Sequence, residues 1–198
     1  MKPLYLIITI LFFSLLFGCA SPMKNVTDPN VSFDKGTYTI LPPRGEGWMY
    51  MEGGQNGSFD IVFAKRGTSS THTFVAKTSK IYSSATFATR DEFFKFAKLS
   101  LNMDIDPRRF KMIEEKIELS DKFGPYSFFK YGVAEDNNAA NANGSVLILK
   151  VYGYGFIHPS DKALMVDIMY SERGKSDEID PAFENKAKAF IDGFSVKK

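Results

Sequence analysis

The chain has 198 residues, with 25 Lys and Arg against 23 Asp and Glu, a formal net charge of +2. A charge so evenly balanced builds no strong field of either sign, which excludes charge-driven binding to nucleic acid or to a polyanionic substrate. With one cysteine there is no internal disulfide, so the fold depends on a packed core, for which 19 Phe, 9 Tyr and 8 Met supply the material.

The first element is a targeting segment. Lys2 precedes an apolar run from Leu4 to Phe17, and Gly18-Cys19-Ala20-Ser21-Pro22 closes it. A positive start, an apolar centre and a small residue at the end describe a secretory signal. The lone Cys19 directly behind it resembles the lipobox of bacterial lipoproteins. That resemblance implies cleavage after Gly18 and a diacylglycerol thioether on Cys19. It further implies sorting to the outer membrane, facing the periplasm, because Ala20 follows the cysteine. Two alternatives stay open: an uncleaved helix, since Leu4 to Ala20 is about 17 residues and sits at the lower limit for a span, and plain secretion with a free Cys19. The chain divides into a signal at 1–18, a lipidated terminus and tether at 19–35, and one domain at 36–198 of about 160 residues. The polar tether, with Pro22 and Pro29, reaches at most about 50 Å when extended.

Within the domain, Thr37 to Leu41 reads as a strand stopped by Pro42-Pro43. Trp48 to Met51 follows, and Gly53-Gly54-Gln55-Asn56-Gly57 is a hairpin turn, because Asn-Gly accepts positive φ. Phe59, Ile61 and Phe63 alternate with Asp60 and Val62 in a half-buried strand, and Thr71 to Tyr82 is another. Thr89-Arg90-Asp91-Glu92 is a capping box for a helix that buries Phe93, Phe96, Ala97 and Leu101. Asp106-Pro107 ends that region. Met112 to Ser120 and Tyr126 to Val133 pair around Gly124-Pro125, then Glu135 to Gly144 forms a polar loop. Val146 to Ile157 and Ala163 to Tyr170 are two further strands. The last helix takes Asp180 as cap, Pro181 in its first turn, an apolar stripe through Phe183, Ala187, Phe190, Ile191 and Phe194, and Gly193 at its end.

Strands joined by short turns pair antiparallel, and two amphipathic helices need a sheet to cover. The expected fold is α+β, an antiparallel sheet of about six or seven strands packed with two helices. Tyr38-Thr39-Ile40-Leu41-Pro42 with Gly47-Trp48, and the closing strand Leu164 to Tyr170 before Phe190-Ile191-Asp192-Gly193-Phe194, resemble the PsbP-like fold. That resemblance implies a sandwich with a binding or assembly role rather than catalysis, and it carries no functional residue over to this chain.

Few residues invite chemistry. His72 and His158 are the only histidines, too few and too poorly spaced for a metal site, so no metal and no cofactor is expected. A hydrolase drawing on His158 with Ser160 or Ser171 and nearby carboxylates is the alternative function, although no Gly-x-Ser-x-Gly elbow accompanies them. Gly153-Tyr154-Gly155 lacks the helix that a dinucleotide site needs and marks a strand bend or a tight packing point. Arg108 and Arg109, beside Lys111, form the most compact basic cluster, able to meet anionic headgroups or an acidic partner. Trp48 near Tyr50 could rim an interface, and Tyr152 and Tyr154 share one side of their strand. The leading expectation is a lipid-anchored, non-catalytic binding or assembly module in the cell envelope, with a membrane and an envelope protein as partners. A structural lipoprotein of a larger complex is a further alternative.

Overall fold

The computed structural model describes residues 23–53, 59–103, 108–137 and 146–197. Cys19 and the signal segment, the turn residues 54–58, Asp106-Pro107 and the centre of the asparagine-rich loop lie outside the described residues. In chain order the elements are β1 (Lys24–Asn25), β2 (Phe33–Asp34), β3 (Tyr38–Ile40), β4 (Met49–Glu52), β5 (Ile61–Arg66), β6 (Thr73–Tyr82), α1 (Arg90–Met103), β7 (Phe110–Ser120), β8 (Ser127–Asp136), β9 (Leu147–Ile157), β10 (Leu164–Gly174), α2 (Phe183–Asp192) and β11 (Phe194–Val196).

Eight strands form the main sheet in the order β1-β4-β5-β6-β10-β9-β8-β7, and β11-β3-β2 form a second, small sheet. All pairs are antiparallel, as hairpin connectivity requires. The expected six or seven strands are therefore too few. The additions β1, β2 and β11 have only two or three residues each, too short for side-chain alternation to reveal them.

Strand alternation gives the main sheet two different faces. One carries Ile61, Phe63, Ala76, Val166, Ile168, Tyr170, Tyr152 and Phe156, and it packs against Phe183, Ala187, Phe190 and Ile191 of α2 and against Tyr38, Ile40 and Phe194 of the small sheet. The opposite face carries Phe128, Ile117, Ile157 and Met165, which meet Phe93 and Ala97 of α1. The two helices thus cover opposite faces, giving three layers instead of a simple sandwich.

The helix termini follow local chemistry. The Thr89 hydroxyl accepts the Glu92 amide at 3.2 Å, and the Glu92 carboxylate reaches back to the Ala88 amide at 2.8 Å. This is the expected capping box, with its return bond one residue further out. At α2 the helix begins at Phe183 rather than at Pro181, because the Asp180 carboxylate takes the Ala182 amide at 2.7 Å and holds the preceding turn. Gly193 ends α2 in a right-handed conformation. Its role is space: a Cβ there would stand 3.0 Å from the Leu41 Cβ, where the Leu41 amide donates to the Gly193 carbonyl at 3.0 Å.

The domain also begins earlier than Gly36. Lys24 and Asn25 pair with Tyr50 and Met49, the Val26 amide donates to the Trp48 carbonyl at 2.9 Å, and Phe33 packs edge-on to Tyr50 and Phe63. The expected tether over 19–35 is thus built into the fold from Met23 onward. Its polar composition concealed two short pairings that exist only in the presence of β4 and β3.

Candidate functional site

The register of the main sheet lays two rows of side chains across its α2-covered face. Lys116, Tyr131, Tyr152 and Tyr170 stand opposite one another on β7, β8, β9 and β10, and Glu118, Phe129, Tyr154 and Ile168 form the next row. α2 covers the β10 and β9 part of these rows, where the Tyr170 ring lies 5.7 and 6.3 Å from those of Phe183 and Phe190. Toward β7 the rows emerge, leaving Phe129, Tyr131 and Tyr154 half-buried. Phe129 lies 4.9 Å from Tyr152 and 5.4 Å from Tyr154, and Phe123 packs edge-on to Tyr154 at 5.6 Å. Lys116 stands over Phe129, and Lys122 over Phe123 and Tyr154. Such a strip offers rigid apolar area with hydroxyls at its edge, the composition favoured where proteins meet. Burial, and after it the carboxylates of Glu114 and Glu184, hold the Tyr131 hydroxyl above its ordinary pKa, so it stays a neutral donor.

Trp48 is not part of an exposed rim. It is 4% exposed, its indole N–H donates to the Arg44 carbonyl at 3.2 Å, and its ring meets Phe74 and Tyr170 edge-on. Gly45 and Gly47, at φ 94° and 80°, supply the left-handed turns that fold the preceding loop over the indole. A shallow cleft of ≈ 200 Å³ remains between this loop and α2, lined by Pro43, Arg44, Tyr170, Asn185, Lys186 and Ala189.

Arg108 and Arg109 lie at the opposite edge of the sheet from Trp48, next to β7, so the three expected interaction residues form no common surface. Arg109 is committed to structure. Its guanidinium holds both oxygens of the fully buried Asp136 at 3.0 Å, with Arg173 on the same carboxylate at 2.7 Å, and Lys111 pairs with Glu135. Arg108 is exposed. The pairing of Arg109 with Asp136 and of Lys111 with Glu135 offsets part of the basic character expected of the cluster.

Neither histidine offers a ring nitrogen to a substrate. His158 is buried, with Nε2 donating to the Thr37 carbonyl at 3.1 Å and Nδ1 accepting the Ser160 amide at 3.2 Å. His72, 4% exposed, donates from Nε2 to Glu172 at 2.8 Å and accepts the Thr68 amide on Nδ1 at 3.3 Å. These tautomers follow from the amide donors, since a backbone N–H requires a lone pair opposite. Ser171, remote from His158 on β10, donates its hydroxyl to the Val75 carbonyl at 3.2 Å. Among the described residues, no group of three or more His, Cys, Asp or Glu is placed to hold a metal ion.

Gly153 and Gly155 are close-packing points, as their sequence context suggests. A Cβ on Gly153 would stand 2.3 Å from the Ile168 carbonyl oxygen and 3.1 Å from Lys130 Cε, and one on Gly155 would stand 2.4 Å from the Phe128 ring. Gly153 lets Lys130 cross β9 to pair with Asp167, and Gly155 lets Phe128 lie beneath α1.

Sequence reasoning missed Asp136, Glu172 and the Lys130–Asp167 pair. Glu172 had a signal: it continues the alternation of Ile168 and Tyr170 and therefore points inward. The others depend on partners far away in the chain.

No family model matches this chain, and a search of curated proteins returns no match. Among solved structures, the solution structure of cyanobacterial PsbP (CyanoP) from Synechocystis is similar, with 14% identity over 92% of this chain and 99% of that one, at a TM-score of 0.40.

Proposed function

We propose that this protein is a lipid-anchored module of the cell envelope that binds or assembles other components and performs no chemistry of its own. The observation that carries this is Cys19, the sole cysteine, placed directly behind the apolar run Leu4 to Phe17. Ala20 after it favours the outer membrane, with the domain in the periplasm. Each buried CH₂ of an attached chain contributes about 0.8 kcal/mol, so two or three chains hold a soluble domain stably at a bilayer. Two further features favour binding over catalysis. Both histidines spend their ring nitrogens on internal partners, and the half-buried aromatic strip on β8 and β9 offers contact area for a protein partner.

Replacing Cys19→Ala tests the anchor. The wild-type mature terminus is expected to begin at Cys19 and to carry the mass of a diacylglycerol group, which the variant lacks, while Trp48 keeps the emission of a buried indole in both. A wild-type Cys19 without added mass would overturn the anchor.

A further inference from the structure

The fold brings the chain's origin to one particular edge. β1 is the terminal strand of the main sheet, and its two residues are fixed by pairing with Tyr50 and Met49. Lys24 extends over the Tyr50 ring at 5.9 Å, and the loop between β1 and β2 is closed by Phe33 inserting against Tyr50 and Phe63. Two apolar side chains near the chain's entry stay in solvent, Met23 just before β1 at 36% and Val31 in the loop after it at 58% exposure. Cys19 lies only four residues before Met23, a stretch that spans at most about 14 Å when extended.

We propose that the β1–β4 edge of the main sheet, with Met23 and Val31 near it, is the membrane-facing surface of the protein and rests against the headgroup layer of a lipid bilayer. This inference rests on lipidation at Cys19 and adds to it an orientation and a distance. With the tether built into the sheet from Met23 on, an anchored domain has about 14 Å of slack instead of about 50 Å. So short a link keeps this edge at high effective concentration beside the lipid, and a weak contact there suffices to orient the body. The charges beside the edge are mixed, Lys24 and Lys35 against Asp28 and Glu52, with Lys35 paired to Glu52 at 2.9 Å. Contact is therefore set by reach and by the two apolar side chains, not by attraction to anionic lipid.

The orientation has a consequence for the aromatic strip. Strands in a sheet stand about 4.8 Å apart, so β8, six places from β1, lies about 29 Å further along the sheet from the membrane edge. The strip is then presented toward the aqueous compartment, outside the headgroup region.

The test uses the full chain, purified from membranes and reconstituted in vesicles of phosphatidylethanolamine and phosphatidylglycerol. Val31→Cys and Glu115→Cys, on exposed positions near β1 and on β7, are each labelled with a fluorophore and read against a headgroup-borne nitroxide quencher. At least fivefold stronger quenching at position 31 than at position 115 is expected. Equal quenching, or stronger quenching at 115, overturns the proposed surface. The mass of the mature terminus, measured on the same preparations, separates the two ideas. A diacylglycerol-bearing Cys19 with equal quenching overturns the surface alone. A Cys19 without added mass overturns the anchor and the surface together.

Discussion

At the scale of single residues, the tightest constraints are polar groups sealed inside an apolar body. Glu172 is fully buried, and its Oε1 takes both the His72 Nε2–H at 2.8 Å and the Asp180 amide at 2.9 Å. One carboxylate thereby joins β10, the start of β6 and the turn before α2. Burying a carboxylate is costly unless its bonds are made, and the donors it satisfies become costly once it is gone. Glu172→Ala leaves two buried donors without an acceptor, and we expect a loss of about 2–4 kcal/mol in denaturant unfolding followed by Trp48 emission. Glu172→Gln keeps an acceptor oxygen and should lose less than half of that. A wild-type midpoint for Glu172→Ala would show that these bonds contribute nothing. Asp136, held by Arg109 and by Arg173, the residue after Glu172, follows the same logic.

At the scale of elements, the entrance to α2 depends on Asp180. Its carboxylate pairs with Lys186 and accepts the Ala182 amide at 2.7 Å. The Lys186 bond is the larger cause that lowers its pKa below the ordinary 3.8, against an opposing push from burial. A lowered folded pKa stabilises the protein above the unfolded value, and that contribution is lost as pH falls through the folded one. Stability should therefore decline below about pH 4, and the decline should be shallower in Asp180→Asn. Thermal unfolding of both proteins across that range checks this; identical slopes would remove Asp180 from the account. Asp34 and Glu178, also lowered by hydrogen bonds from Lys197 and from the Lys175 amide, act in the same direction at the surface. The capping box of α1 and the alternation in β5 and β10 were legible in the sequence because each depends on residues within one or two turns of chain. β1 and β2 were not legible. A two-residue strand has no period, and only its neighbour makes it a strand.

At the scale of the whole molecule, the strand order separates the chain's entry from its aromatic strip. β1 is one terminal strand of the main sheet, and the strip lies toward the opposite edge. α2 covers the centre of the sheet and stops short of β8, which leaves Phe129, Tyr131 and Tyr154 half-buried. Interfaces concentrate their energy in a few such rings. A partner captured from solubilised envelopes by the wild-type protein should be lost with Tyr131→Ala, while the unfolding midpoint shifts by less than about 1 kcal/mol. Equal capture by both proteins would move the binding surface elsewhere.

The sequence by itself determined the antiparallel class and the two amphipathic helices, and it marked the paired glycines as a strand bend or a packing point, because these follow from covalent order and local periodicity. Tertiary structure alone decided that Trp48 is core and Arg109 is a clamp. It also decided that the tether is part of the sheet and that the tyrosines of β8 and β9 join in one strip. Each of those outcomes is a pairing between residues distant in the chain, and whether a side chain is covered depends on what the fold brings to it from elsewhere.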